Sequence, residues 1–274
     1  AAYIVEGTTP NDFFGYTLFT KKADLIWSGS PARYWPLTTS KINFLAVTEK
    51  GGNVDNTSVK FADSNYASAA TVTLSNNAVW SQNDLMFAAG QGTHTQGGAY
   101  NAVPMVFKHA LSWVNFMVKA SEADKITVKS IALNGAIYNG TLTLSNTSYN
   151  LATSYESANA AVTANWSVGA VQDGISVFNG TYNCTTSYND MGVKGLLVVP
   201  NTATTAGFTI VYSVDGAGDI TYTTNFEHPT DGWKAGYKYT YNISFGALKE
   251  IQIAPSVTVW DESGDVATDD DHSL

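Results

Sequence analysis

The sequence predicts an all-β protein built as two tandem β-sandwich domains with few short helices. Three observations carry that expectation. Short apolar segments recur along the chain with turn residues between them, the pattern of sandwich strands. Charged residues make up only 14% of the chain, so its polar surface falls to Ser, Thr, Asn, Gly and Tyr. Those residues suit strands and turns better than long helices. The third is the stretch 105–118. Met105 and Phe107 occupy odd positions, whereas Val114, Phe116 and Val118 occupy even ones. A single strand keeps one parity, so a bulge or a tight turn is expected between His109 and Ser112. The stretch is read as the strand that closes the first domain.

The elements follow in order. Residues 13–19 form an apolar segment, and residues 41–47 alternate Ile42, Phe44 and Ala46 against Asn43. Residues 27–36 read as a loop by their Gly and Pro content, with Tyr34 and Trp35 as a lid on the sandwich end. Strands follow at 71–74 and 84–87. Residues 90–98 then form a glycine-rich surface loop, which lacks the spacing and the Lys-Ser/Thr ending of a phosphate-binding loop. The polar run Ser121-Glu-Ala-Asp124 marks a domain boundary. It gives domains 1–121 and 122–274, the second ending in an edge strand and an acidic tail.

In the second domain, residues 125–133 carry Ile126 and Val128 and then, past Lys129, Ile131. Asn134-Gly135 signals a hairpin into 136–144. Residues 145–170 read as a long loop with one helical turn. Strands resume at 175–178 and 195–200. Segments 208–214 and 220–226 flank Asp215-Gly-Ala-Gly-Asp219, a hairpin turn rather than a calcium loop, which needs more oxygen ligands and a closing Glu. Tyr239, Tyr241 and Ile243 share one face of 238–245. The last strand spans 250–260, and the tail 261–274 is expected to fray.

Charge excludes some functions. The formal net charge is -9, with 14 Lys and Arg in all. Arg33 is the sole arginine. The basic stripe of a nucleic-acid binder is missing, so no nucleic-acid partner is expected, and anionic membrane surfaces are disfavoured. Cys184 is the only cysteine, which rules out an intrachain disulfide and makes it a bystander rather than a nucleophile. No apolar run reaches the length of a membrane helix. The first residues, Ala1-Ala2-Tyr3, read as a mature or trimmed chain.

Chemistry is not signalled. His94, His109, His228 and His272 show no metal-ligand spacing, and no serine elbow is present. No pattern marks any two carboxylates as a hydrolytic pair. His109, in an apolar strand, reads as a hydrogen-bonded structural histidine. The expectation is a protein without enzymatic activity, cofactor or metal.

The terminal strand is more informative. Ile251, Ile253, Val257 and Val259 share one face, with Gln252, Ser256 and Thr258 opposite. Pro255 removes a backbone donor, which confines the strand to an edge or a bulge. An alternating edge strand is what strand addition between subunits requires. Four buried aliphatics would contribute about 6–12 kcal/mol before ordering costs. An ordinary last strand folded into its own sheet is the other reading.

Several stretches together resemble the fimbrillin family, the pilins and fimbrillin-like lipoproteins of Bacteroidetes. They are Arg33-Tyr-Trp-Pro with Ile42-Asn-Phe-Leu-Ala; Asp84-Leu-Met-Phe-Ala; Val106-Phe-Lys-His-Ala-Leu-Ser with Val114-Asn-Phe; Ile126-Thr-Val-Lys-Ser-Ile-Ala-Leu; and Trp233-Lys-Ala-Gly-Tyr-Lys-Tyr-Thr-Tyr-Asn-Ile. The resemblance implies transthyretin-like sandwiches, export as a lipoprotein, and an outer-membrane, cell-surface location in a fimbria. Its implied partners are other fimbrial subunits, with a host or bacterial surface molecule as ligand. It also implies removal of an N-terminal strand by an Arg- or Lys-specific protease, followed by filling of the groove from a neighbouring subunit. The chain departs from this pattern twice. It lacks the lipidated Cys, through which alone membrane attachment is expected. No Arg or Lys precedes Phe13, so cleavage would fall upstream of Ala1 or at Lys21-Lys22. A carbohydrate-binding surface module that does not polymerise is the alternative, on 15 Tyr and 7 Trp.

Overall fold

The computed structural model of the protein describes residues 2–6, 9–14, 17–21, 27–32, 34–35, 40–50, 59–61, 69–75, 84–94, 103–137, 139–146, 162–201, 206–226, 232–247 and 250–260. Its strands in chain order begin with β1 (Ala2–Glu6), β2 (Thr9–Phe14), β3 (Leu18–Lys21), β4 (Trp27–Ser30), β5 (Ser40–Lys50), β6 (Val59–Phe61), β7 (Ala69–Ser75), β8 (Asp84–His94) and β9 (Lys108–His109). They continue with β10 (Ser112–Ala120), β11 (Ile126–Asn134), β12 (Asn139–Asn146), β13 (Val162–Val168), β14 (Ile175–Asn183) and β15 (Leu196–Val198). The last four are β16 (Ala206–Val214), β17 (Ile220–Phe226), β18 (Tyr237–Phe245) and β19 (Ile251–Val259). The protein is all-β, and no helix falls among the described residues.

Four sheets face each other in pairs, and β3 and β4 form a separate ribbon. The sheets β2-β1-β5-β8-β9 and β13-β12-β7-β6 enclose a core of Leu45, Leu85 and Phe87 from one side and Val72, Leu142 and Leu144 from the other. The sheets β15-β10-β18-β19 and β14-β11-β16-β17 enclose a larger core around Phe116, Ile131, Phe208, Tyr241 and Phe245. Phe116 meets Phe208 edge-on and stacks on Tyr241, both at 5.6 Å between ring centroids. Such pairs add about 0.5–1.5 kcal/mol each beyond their burial.

The parity change at 105–118 is a crossing between these sandwiches. β9 pairs with β8 through only two residues. The Ala110 amide then donates to the Leu85 carbonyl, while the Leu111 carbonyl accepts from the Gly236 amide. Buried Ser112 donates its hydroxyl to the Lys234 carbonyl at 2.7 Å. From there β10 runs parallel to β18, with Val114, Phe116 and Val118 fully buried in the larger core. Each such side chain contributes about 1.5–3 kcal/mol. Contrary to expectation, β10 does not close the first sandwich; it is a central strand of the second. Pairing also joins β12 to β7, so strand partners are exchanged across position 121 in both sandwiches.

Other expectations are corrected or sharpened by tertiary contact. The glycine-rich run from Gly90 is not a loop at its start: β8 continues to His94, with Gly90 opposite Phe44 and Gly92 opposite Ile42. A Cβ at Gly92 would lie 2.3 Å from the Trp35 ring and one at Gly90 2.4 Å from Met105 Sδ. Glycine here permits close approach of neighbours, its usual meaning inside a strand. Residues 95–98 lie outside the described residues.

Asn134-Gly135 does not close a hairpin, because β11 pairs with β14 and β16 while β12 pairs with β7 and β13. Gly135 has φ 75°, and its amide donates to Asp173 Oδ1. The turn redirects the chain to the other sandwich instead of folding it back. Residues 162–168, expected in a loop, pair as β13 with β12; residues 147–161 lie outside the described residues.

The segment 13–19 divides between β2 and β3, and Trp27–Ser30 is strand rather than loop. Tyr34 is 83% exposed and forms no lid, whereas Trp35 meets Phe44 edge-on at 6.2 Å. The parity shift past Lys129 is a bulge between Val128 and Ser130. Asp215 and Asp219 flank a plain hairpin turn between β16 and β17, and they pair with Lys125 and Lys129 respectively.

Candidate subunit interface at the terminal strand

β18 supplies the platform. Its burial alternates strictly, with Tyr239, Tyr241, Ile243 and Phe245 in the core. The Tyr241 hydroxyl accepts from Trp233 Nε1 at 3.1 Å, and the Tyr239 hydroxyl accepts from the Lys234 amide at 2.8 Å. Burial pushes the Tyr241 phenol up to about 12. Cys184, fully buried in the same core, is likewise pushed up to about 12 by burial. This agrees with its reading as an inert thiol.

β19 folds back on β18 in a complete antiparallel register, from Ile251 opposite Phe245 to Val259 opposite Tyr237. The Gly246 amide donates to the Glu250 carbonyl to close the connection. Within its sheet β19 has a neighbour on one side only, so it is an edge strand. Pro255 sits in mid-strand opposite Tyr241, where only an edge or a bulge tolerates the loss of a donor.

The four aliphatics share a parity but not an environment. Ile251 and Ile253 are half-buried and pack against the larger core. Val257 and Val259 are 48% and 64% exposed in the folded-back strand. In the register Val257 lies opposite Tyr239, which is buried.

Beyond Val259 the strand is tied to the other sandwich. Trp260 packs against the smaller core together with Trp113, their ring centroids 5.3 Å apart. It stacks on His109 at 3.6 Å with a 10° interplanar angle. His109 Nδ1 lies 2.8 Å from Asp84 Oδ2, and the Asp84 side chain is 1% exposed. A carboxylate so buried is costly without a polar neighbour, and the His109 ring stands at contact distance from it. On the same side Lys238 Nζ sits 3.8 Å above the Trp113 ring. Burial pulls the Lys238 pKa down, with the Asp190 charge opposing. Trp260 escapes sequence reasoning based on the odd-numbered face of the strand. The available signal is its parity: it is the first large apolar residue on the opposite face of β19.

Among the described residues no group of three or more His, Cys, Asp or Glu side chains is placed to hold a metal ion. No described helix is long and apolar enough to cross a membrane.

Comparison with known proteins places this architecture. A candidate cell adhesion protein from Bacteroides uniformis superimposes with a TM-score of 0.55 at 17% identity, covering 95% of this chain and 90% of that one. A fimbrial protein from Bacteroides vulgatus gives a TM-score of 0.55 at 16% identity, covering 95% and 92%. At these identities the likeness is one of fold. No curated protein sequence matches significantly. The fimbrillin-like family model matches residues 3–260, from β1 to Trp260, and the chain belongs to the fimbrillin-like family.

Proposed function

We propose that the chain is a fimbrial subunit of the cell surface, assembling with other fimbrial subunits by exchange of its terminal β-strand. Family membership across residues 3–260 supports the fimbrial role. The observation that carries strand exchange is β19 itself. It is an edge strand with Ile251, Ile253, Val257 and Val259 on one face, and half of that face is exposed. A strand of this kind can pair its backbone with a second copy while its alternate side chains set the register. The closed hairpin of β18 and β19 is then the monomeric form, and the open strand is the donor. The expected division at 121 does not separate the two sandwiches cleanly, because β10 belongs to the second and β12 and β13 to the first. Export and outer-membrane anchoring through a lipidated terminus accompany the reading as family properties. The role is structural and adhesive rather than enzymatic.

Deletion of residues 250–274 tests the proposal. Electron microscopy should show fimbriae with the full chain and none with the truncated one. Hydrogen exchange should show the core strands of the first sandwich still protected. Unchanged fimbriae after the deletion would sink strand exchange.

A further inference from the structure

We infer that Trp260, His109 and Asp84 form a latch that keeps the terminal strand in its own sheet until assembly. The inference rests on the strand-exchange reading and names how that site is regulated. β19 is anchored at its two ends by two different cores. At the start, Ile251 and Ile253 pack on the larger core. Past the end, Trp260 packs on the smaller one. Between the anchors, residues 254–259 are all exposed, so that half of the strand is held by main-chain pairing and by surface hydrogen bonds from the Asn242 amide group to the Ala254 carbonyl and from the Ser256 hydroxyl to the Thr240 carbonyl. An edge segment with so little side-chain burial opens readily from its free end unless something pins it.

Trp260 is placed to be that pin. Its amide donates to the Gly236 carbonyl at 2.8 Å, which extends the β18–β19 ladder by one bond. Its ring lies flat on His109. His109 is held in turn: it is 9% exposed, in β9, with Nδ1 against the buried Asp84 carboxylate at the first residue of β8. Asp84, His109 and Trp260 therefore join β8, the crossing from β9 to β10, and the end of β19 in one stack. A ring fixed this way cannot follow Trp260 when the strand lifts, so the stack is lost all at once. The first event of strand release is then the withdrawal of Trp260, after which residues 254–259 peel from β18.

The test uses the full chain with Trp260→Ala and Trp260→Phe, read by hydrogen exchange and by the rate of fimbria formation. In Trp260→Ala, the β19 amides that face β18 should exchange about tenfold faster, while those of β16 stay unchanged. Fimbriae should form faster. Trp260→Phe, which keeps an aromatic face on His109, should recover most of the protection. Unchanged exchange in β19 overturns the latch. So does a rise shared equally by β16, which would assign Trp260 to general stability. Faster exchange without faster assembly overturns its role in assembly. If fimbriae persist when residues 250–274 are deleted, strand exchange itself fails, independently of the exchange rates in Trp260→Ala.

Discussion

β15 and β19 are the two edges of one four-stranded sheet, and they are held in opposite ways. β15 is buried along its whole length. Leu196 and Val198 face the larger core while Leu197 and Val199 face the smaller one. β19 has its aliphatics on one face only and exposes most of its residues. Each pairs within the sheet on one side only. What differs is the cost of leaving. β15 is wedged between two cores, so removing it would open both. β19 gives up two half-buried isoleucines, one tryptophan stack and a hydrogen-bond ladder. β19 is therefore the more loosely held edge: only Ile251 and Ile253 of the strand pack on a core, with Trp260 past its end on the other.

The largest expected effect breaks the β15 side of this contrast. Leu197→Ala removes a fully buried side chain of the smaller core and should destabilise the protein by about 2–5 kcal/mol. Urea denaturation would measure it, and a loss within the noise would mean that β15 is not a wedge.

Alkaline pH acts on the core against which both edges lean. Cys184 and Tyr241 ionise at about 12 in the folded protein, against ordinary values of 9.0 and 10.0. The unfolded chain therefore loses these protons first. Stability should be intact below pH 9 and fall as pH rises from there towards 12, by about 1.4 kcal/mol per pH unit for each ionising group. Cys184→Ala should flatten the pH 9–10 part of that fall. The native thiol should also resist thiol reagents at pH 8 and react only on unfolding.

A finer comparison lies within β19. Ile253→Ala should cost about 1–2 kcal/mol, part of the full burial value, because its side chain is only half-buried. Val257→Ala, on the same face but 48% exposed, should change monomer stability by less than about 0.5 kcal/mol. If β19 is donated to a neighbour, both substitutions should weaken the fimbria. Equal effects of the two on the monomer would remove the distinction between the anchored and the free half of the strand.

Much of the fold is legible in the sequence because local patterning and burial agree there. The even positions 114, 116 and 118 and the odd positions 239–245 are the core faces of β10 and β18. The parity breaks near His109 and past Lys129 mark a crossing and a bulge. The candidate site is half legible: β19 is an edge strand with the expected face, but its burial is not uniform. The misread segments share a cause. Gly90 and Gly92 resemble a loop by composition, yet they pair with Phe44 and Ile42 in a strand, where Met105 and Trp35 leave no room for a side chain. Asn134-Gly135 carries a turn signal, but a turn does not say which strand receives the chain.

From its sequence alone this protein is all-β, has an apolar face on each main strand, and ends in an alternating strand interrupted by Pro255. Those properties follow from period-two alternation and backbone chemistry, which act over a few residues. The tertiary structure decided that β10 belongs to the second sandwich and that β12 pairs with β7. It also decided that Val257 and Val259 face solvent while Trp260 reaches across to His109. Each of these is a choice of partner between segments far apart in the chain. Such choices are settled by which cores are already filled and which surfaces remain to be covered.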